Sequence, residues 1–230
     1  MTSTEVRPSL SEQIYTEVRN EIATLKLQPG TLLFENALAS RYDTSRTPVR
    51  KALTRLEQDG LLQVLPQRGA RIAPLSRQRI TEAQEIRETL ELTAIGKAAV
   101  RWRPGELRYR RYDEQIRQNL DRQEAASTSG DLLAFTRLDG EFHALFMQVA
   151  GNQMLLRIVE QVRVHLMRLR YLELHAMRHE GTAIAQHRQI HRAVQANDSE
   201  AAVLLMREHL HLLTAQRDEI MAAQADLFTD

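Results

Sequence analysis

The sequence predicts a mainly α protein in two parts, a winged helix-turn-helix over residues 1–76 and an all-α bundle of six helices over residues 77–230. Three observations carry that expectation. Two short helical runs separated by Asp43, Thr44 and Ser45 have helix-turn-helix spacing. Strand-type patterning is confined to the first third of the chain. Beyond the A-P-L-S linker at residues 73–76, helical periodicity continues to the end, with breaks at Pro104-Gly105, 127–130, Gly151-Asn152, Gly181 and 197–199.

Residues 9–27 read as the first helix: Ser9 and Glu12 form a capping box, Ile14, Val18, Ile22 and Leu25 make the buried stripe, and Gln28-Pro29-Gly30 stops it. Residues 31–34 are a strand candidate, and residues 36–42 form the first helix of the pair. In the second, Thr47 suits the N-cap and Pro48 the first helical position, where a missing N–H costs nothing. Val49, Ala52, Leu53 and Leu56 then share one face, while Arg50, Lys51, Thr54 and Gln58 face away, until Gly60 ends the helix. Arg46 and Arg50 stand at its start, where base edges or phosphates would lie. Apolar runs at 61–65 and 70–73 flank Pro66, Gln67, Arg68 and Gly69, which reads as a hairpin, a wing with Arg68 near its tip. Residues 41–71 hold seven basic and three acidic residues, a net +4 in a chain of net +1, so the positive charge is local.

The absence of cysteine excludes disulfides and thiolate metal sites. No run approaches the ~20 apolar residues of a membrane span, and the start, M-T-S-T-E-V-R-P, lacks the apolar core of a signal peptide. The expectation is a cytoplasmic protein with no membrane association. Helices are expected near 78–101, 106–126, 132–150, 153–171, 183–196 and 200–224. All eight histidines lie at or after His143. Asp139 and His143 are four apart and project from one helical face beside Phe142 and Phe146. His187 accompanies Ile184, Ile190 and Val194; His209 accompanies Leu205, Met206 and Leu213. One carboxylate and three imidazoles facing a bundle interior could hold a divalent metal, zinc first, with nickel, iron or manganese as alternatives. From spacing alone, ordinary core packing of these residues stays open. His191 is a rival ligand, His165 sits in an apolar stripe, and His175 and His179 are expected to be exposed near a helix end. Arg87, on the Ala83, Leu90 and Ala94 face, is the candidate anchor for a bound acid, with pairing to a glutamate as its alternative.

The run F-E-N-A-L-A-S-R-Y-D-T-S-R-T-P-V-R-K-A-L-T-R-L-E-Q-D-G-L-L, followed by L-P-Q-R-G-A-R-I-A-P-L, resembles the winged-helix domain of the GntR family of bacterial transcription regulators. The remainder resembles the helical FCD effector domain of its FadR subfamily, through E-I-R-E-T-L-E-L, D-G-E-F-H, H-R-Q-I-H-R-A-V and M-R-E-H-L. Two positions depart from the family pattern: Asn36 replaces a frequent arginine, and Asp43 a frequent turn glycine. The resemblance implies a dimeric, ligand-responsive transcription factor that reads a palindromic operator. It also implies Arg46, Thr47 and Arg50 at DNA, Gly69 in the wing, and Asp139, His143, His187 and His209 around a metal.

Three function classes follow. The first is a regulator, usually a repressor in this family, answering a small organic or sugar acid. The second is a metal-ion sensor. The third is a metal-dependent hydrolase joined to a DNA-binding domain; it is the weakest, because the sequence shows no positioned general base beside the motif, with Glu141 and Glu173 left open for that role, and a non-enzymatic protein is expected.

Overall fold

The computed structural model describes residues 9–66, 68–212 and 214–229. Met1–Pro8, Gln67 and Leu213, on which the sequence readings of the N-terminus, the wing turn and the His209 face partly rest, and Asp230 lie outside the described residues. The chain forms two compact units, one through Ser76 that also takes in the C-terminal segment from Asp226, and one from Arg77 to Ala225.

In the first unit, helix α1 (Leu10–Ala23) opens on the expected capping box, with the Ser9 hydroxyl accepting from the Glu12 N–H and the Glu12 carboxylate accepting from the Ser9 N–H. It ends earlier than residue 27. The Thr24 hydroxyl donates back to the Asn20 carbonyl and Leu25 takes a φ of 56°, so the chain has already turned before Pro29. Strand β1 (Leu32–Leu33) leads to α2 (Glu35–Arg41), and Asp43, at φ 45°, turns the chain into α3 (Arg46–Gln58). Asp tolerates that left-handed conformation better than most residues. The N-cap is Ser45, not Thr47, and it makes no side-chain cap bond. Pro48 is thus the third helical residue, still inside the turn whose N–H groups have no intrahelical acceptor. Ile14, Val18 and Ile22 of α1 pack with Val49, Leu53 and Leu56 of α3 in a fully shielded core.

Strands β2 (Leu62–Leu65) and β3 (Gly69–Ile72) form the antiparallel wing, and β1 adds to the far edge of β3, giving the order β1-β3-β2. The β1 contact fixes the identity of Gly69. Its φ is 90°, and a Cβ there would stand 2.3 Å from the Leu33 carbonyl oxygen. Gly69→Ala is therefore expected to cost about 1–3 kcal/mol from backbone conformation, with the clash against β1 added. Gly30, at φ 85° with nothing within 4 Å of a built Cβ, supplies the control. Chemical denaturation should rank Gly69→Ala well below Gly30→Ala; equal losses would remove the close-approach argument.

The A-P-L-S linker ends as strand β4 (Leu75–Ser76), which pairs in parallel with β5 (Phe228–Thr229). The second unit has seven helices among the described residues, against six expected: α4 (Arg77–Arg101), α5 (Leu107–Ser129), α6 (Leu132–Ala150), α7 (Gln153–Met177), α8 (Glu180–Gln195), α9 (Ser199–Leu210) and α10 (Thr214–Ala223). The run expected over 200–224 breaks after Leu210, where His211 closes α9 through its N–H to the Arg207 carbonyl and turns its ring to Glu88 on α4, 2.7 Å away. Helix α7 runs six residues past Tyr171, and Gly181 sits inside the first turn of α8 instead of breaking the chain. Gly130 and Gly151 close α5 and α6 at φ 71° and 70°, while Asp131, Asn152 and Asp198 cap the next helices through their side chains. A core of Ile95, Trp102, Ile116, Phe142, Phe146, Val194 and Met206 binds α4, α5, α6, α8 and α9 together. No described helix is long and apolar enough to cross a membrane.

Candidate metal centre and nucleic-acid interface

At the start of α3, the side chains of Arg46 and Arg50 are more than half exposed, and both reach back to Glu35 at the start of α2. Arg46 donates through Nε and Nη2 to Glu35 Oε2, at 2.9 and 2.6 Å, and Arg50 Nε donates to Glu35 Oε1 at 2.9 Å. The two guanidinium groups, Arg50 first, hold the Glu35 carboxyl below its ordinary pKa. Thr47, Arg50, Lys51 and Thr54 line one shallow hollow on the outer face of α3, and Arg68 is exposed in the wing turn. Glu35 was not foreseen, because a lone carboxylate eleven residues before Arg46 has no helical or strand period to betray the contact.

In the second unit, Asp139 and His143 from α6, His187 from α8 and His209 from α9 each present one ligand atom, and these atoms lie within 4.8 Å of one another. All four residues are buried. The outer ring nitrogens are engaged. His187 Nδ1 donates to Gln123 Oε1 at 2.9 Å, and the Gln123 amide is itself oriented by donating to Asn119 Oδ1 at 2.7 Å. His209 Nδ1 donates to Gln186 Oε1 at 3.1 Å, and His143 Nδ1 abuts Glu91 Oε2. With Nδ1 carrying the proton, His187 and His209 turn lone pairs inward, and their Nε2 atoms stand 3.1 Å apart. Asp139 Oδ1 lies 3.6 Å from His187 Nε2 and 3.9 Å from His143 Nε2, and has no hydrogen-bond donor. Facing lone pairs and an orphaned carboxylate oxygen repel each other unless a cation lies among them, so the donor set fits a divalent metal.

Burial sets the protonation of the cluster. It pushes His187 down to about 3 and His209 well below its ordinary value. Burial favours protonation of Asp139, yet Arg170, the neighbouring imidazoles and Arg163 outweigh it and hold the carboxyl well below its usual range. In the unfolded chain, by contrast, an imidazole titrates near 6.5. The unfolded state therefore takes up protons first, and the contribution of a neutral His187 is fully present above about pH 6.5. That contribution declines as pH falls toward about 3, at roughly 1.4 kcal/mol per pH unit. Metal-free protein should melt at progressively lower temperature from about pH 7.5 to about pH 5.5, with a shallower slope in His187→Gln. An unchanged slope in that variant would remove His187 from the account.

Beside the cluster opens a cleft walled by Arg87, Arg163, Arg170, Glu173 and Arg217. Arg87 is not free: its Nε donates to Glu91 Oε1 at 2.7 Å, and Nη2 stands 3.4 Å from His143 Nε2. Glu173 accepts from Arg217 at 3.0 Å and lies 3.6 Å from Arg170, while Glu141 pairs with Arg137. The other histidines lie elsewhere. His191 contacts Asp113 at 2.9 Å, His165 is half-buried on α7 outside the cluster, and His175 is exposed. His179, expected to be exposed, is half-buried, and burial pushes it down to about 4.

Comparison with known proteins shows a DNA-binding transcription regulator. Residues 10–72 match the "Bacterial regulatory proteins, gntR family" and residues 82–212 the "FCD domain", so the chain belongs to the GntR family and carries the FCD domain of its FadR-like subfamily. It is 35% identical to an HTH-type transcriptional regulator in an unstable DNA locus of Streptomyces ambofaciens, over 94% of this chain and 88% of that one. It is 29% identical to the Escherichia coli HTH-type transcriptional repressor RspR, over 99% and 98% of the two chains. Among solved structures, E. coli McbR/YncC shares the fold with a TM-score of 0.78, at 22% identity over 92% of this chain and 98% of its own. The family consists of non-enzymatic regulators, which sets the hydrolase reading aside.

Proposed function

We propose that the chain is a homodimeric cytoplasmic repressor whose FCD domain holds a divalent metal and releases or strengthens DNA contact when it binds a small organic or sugar acid. Asp139, His143, His187 and His209 hold the ion, zinc first among the candidates. Bound there, it supplies a Lewis-acidic positive charge for a carboxylate. Arg87, which lines the cleft while Glu91 holds its Nε, serves as a second anchor. Arg46, Thr47, Arg50, Lys51 and Thr54 read a palindromic operator, with Arg68 and Gly69 in the wing. The assignment of residues 1–76 to DNA and 77–230 to effector and partner protomer goes with this reading. The observation that carries it is the convergence of three fixed imidazoles and one orphaned carboxylate oxygen beside an arginine-walled cleft. That cleft favours an acid over the metal alone as the signal. Repression is supported by RspR and by a probable D-xylose utilization operon transcriptional repressor of Paenarthrobacter nicotinovorans, 28% identical to this chain over 89% of its length.

The test begins by selecting an operator from random duplex DNA and measuring its affinity with zinc-loaded and chelated protein, with and without acids that raise the melting temperature. A palindrome bound by two protomers, with affinity changed by an acid only in the zinc-loaded form, is expected. An acid response that survives chelation would overturn the metal-anchored pocket, and a response to zinc with none to any acid would leave the metal-sensor reading in its place.

A further inference from the structure

We infer that the cleft selects acids carrying two anionic groups, one for the metal and one for the arginines of α7 and α10. This rests on the metal-and-carboxylate reading above and narrows its ligand class. Around the cleft and directly behind it stand four guanidinium groups, from Arg87, Arg163, Arg170 and Arg217, and three carboxylates, from Glu91, Asp139 and Glu173. The four arginine side chains are only 12–20% exposed, so solvent compensates them poorly. Their balance is +1, and a dication held by neutral imidazoles raises it to +3. A single carboxylate leaves most of that charge unmatched, whereas a diacid neutralises two charges within one molecule.

The arginines are also arranged in sequence away from the metal ligands. Arg170 lies 3.8 Å from Asp139 Oδ1 on one side and 3.6 Å from Glu173 Oε2 on the other, and Glu173 in turn holds Arg217 at 3.0 Å. A short diacid seated on the metal would therefore direct its far end along this row. Arg163 is built into the wall: its guanidinium lies on the α6 backbone at Gly140, where a Cβ would stand 2.3 Å from Nη1, and donates to Asp139 Oδ2 at 3.4 Å. Any larger residue at position 140 would push this cation out of the wall.

Calorimetry on zinc-loaded, full-length protein with matched pairs tests the inference: succinate against butyrate, malate against 3-hydroxybutyrate, and glucarate against gluconate. At least one diacid should bind about tenfold or more tightly than its monoacid partner. Arg217→Gln, which keeps a donor for Glu173, should weaken the diacid far more than its monoacid partner and so remove most of that preference. Gly140→Ala, by displacing Arg163, should reduce it as well. Equal affinity within every pair, or an Arg217→Gln variant that keeps the full preference, would overturn the two-anion inference and leave the carboxylate reading intact. Failure of all six acids to bind zinc-loaded protein would overturn both.

Discussion

If the four ligands hold a divalent ion as proposed, His187→Ala is expected to abolish its stoichiometric retention and, with it, the rise in melting temperature that zinc or nickel should give the wild type. His187 is central to the cluster, with its Nε2 near both His209 and Asp139, so its loss opens the set from the middle. An ion at a thousand times its dissociation constant stabilises the native state by about 4 kcal/mol, and that increment should vanish. The metal-free variant should lose less, about 1–3 kcal/mol, because the ring's removal leaves a void against Phe142, stacked at 4.0 Å, and frees the Gln123 carbonyl. Elemental analysis after desalting and paired melts with and without metal separate the two effects. Retention of one ion per protomer by His187→Ala would place the metal elsewhere.

Arg46→Ala and Arg50→Ala should each weaken operator binding by about 1–3 kcal/mol, the range of a bidentate contact to guanine. The double variant is expected to depart from additivity, because both side chains share Glu35. In free protein that carboxylate occupies donors that the proposed reading of DNA would require. Glu35→Gln should thus bind unrelated duplex more tightly and with a steeper salt dependence, since two unshielded guanidinium groups then face the phosphates. Fluorescence anisotropy on operator and scrambled DNA at two salt concentrations reads all four proteins. Unchanged operator affinity in both single arginine variants would sink the assignment of α3 as the reading helix.

Features governed by local chemistry were legible in the sequence. The α1 capping box, the inward face of α3 and the turn at Asp43 each follow from residues within a few positions of one another. The spacing of Asp139 and His143 likewise puts both on one face of α6, while His187 and His209 join them only through packing of α8 and α9. What escaped depends on distant partners. Glu91, Gln123 and Gln186 orient the imidazoles, yet in the sequence each is one more polar residue on an amphipathic helix. Arg163 and Arg170, two turns apart on α7, look the same in sequence as the exposed Arg157 until α6 and α10 are in place. The break between α9 and α10 was missed because periodicity runs through it, with no glycine or proline to mark the turn at His211.

The parallel pairing of β4 with β5 governs the order in which the chain can be completed during synthesis. β4 leaves the ribosome early, but its partner emerges only after all seven helices of the second unit. Two ladder pairs must then close a loop on the order of 150 residues, an entropic cost that so short a ladder does not offset by itself. The ends are brought together only when the intervening helices have folded. A nascent chain can therefore form its three-stranded wing sheet at once, while the segment joining that wing to the effector domain stays unpaired until translation has passed Thr229.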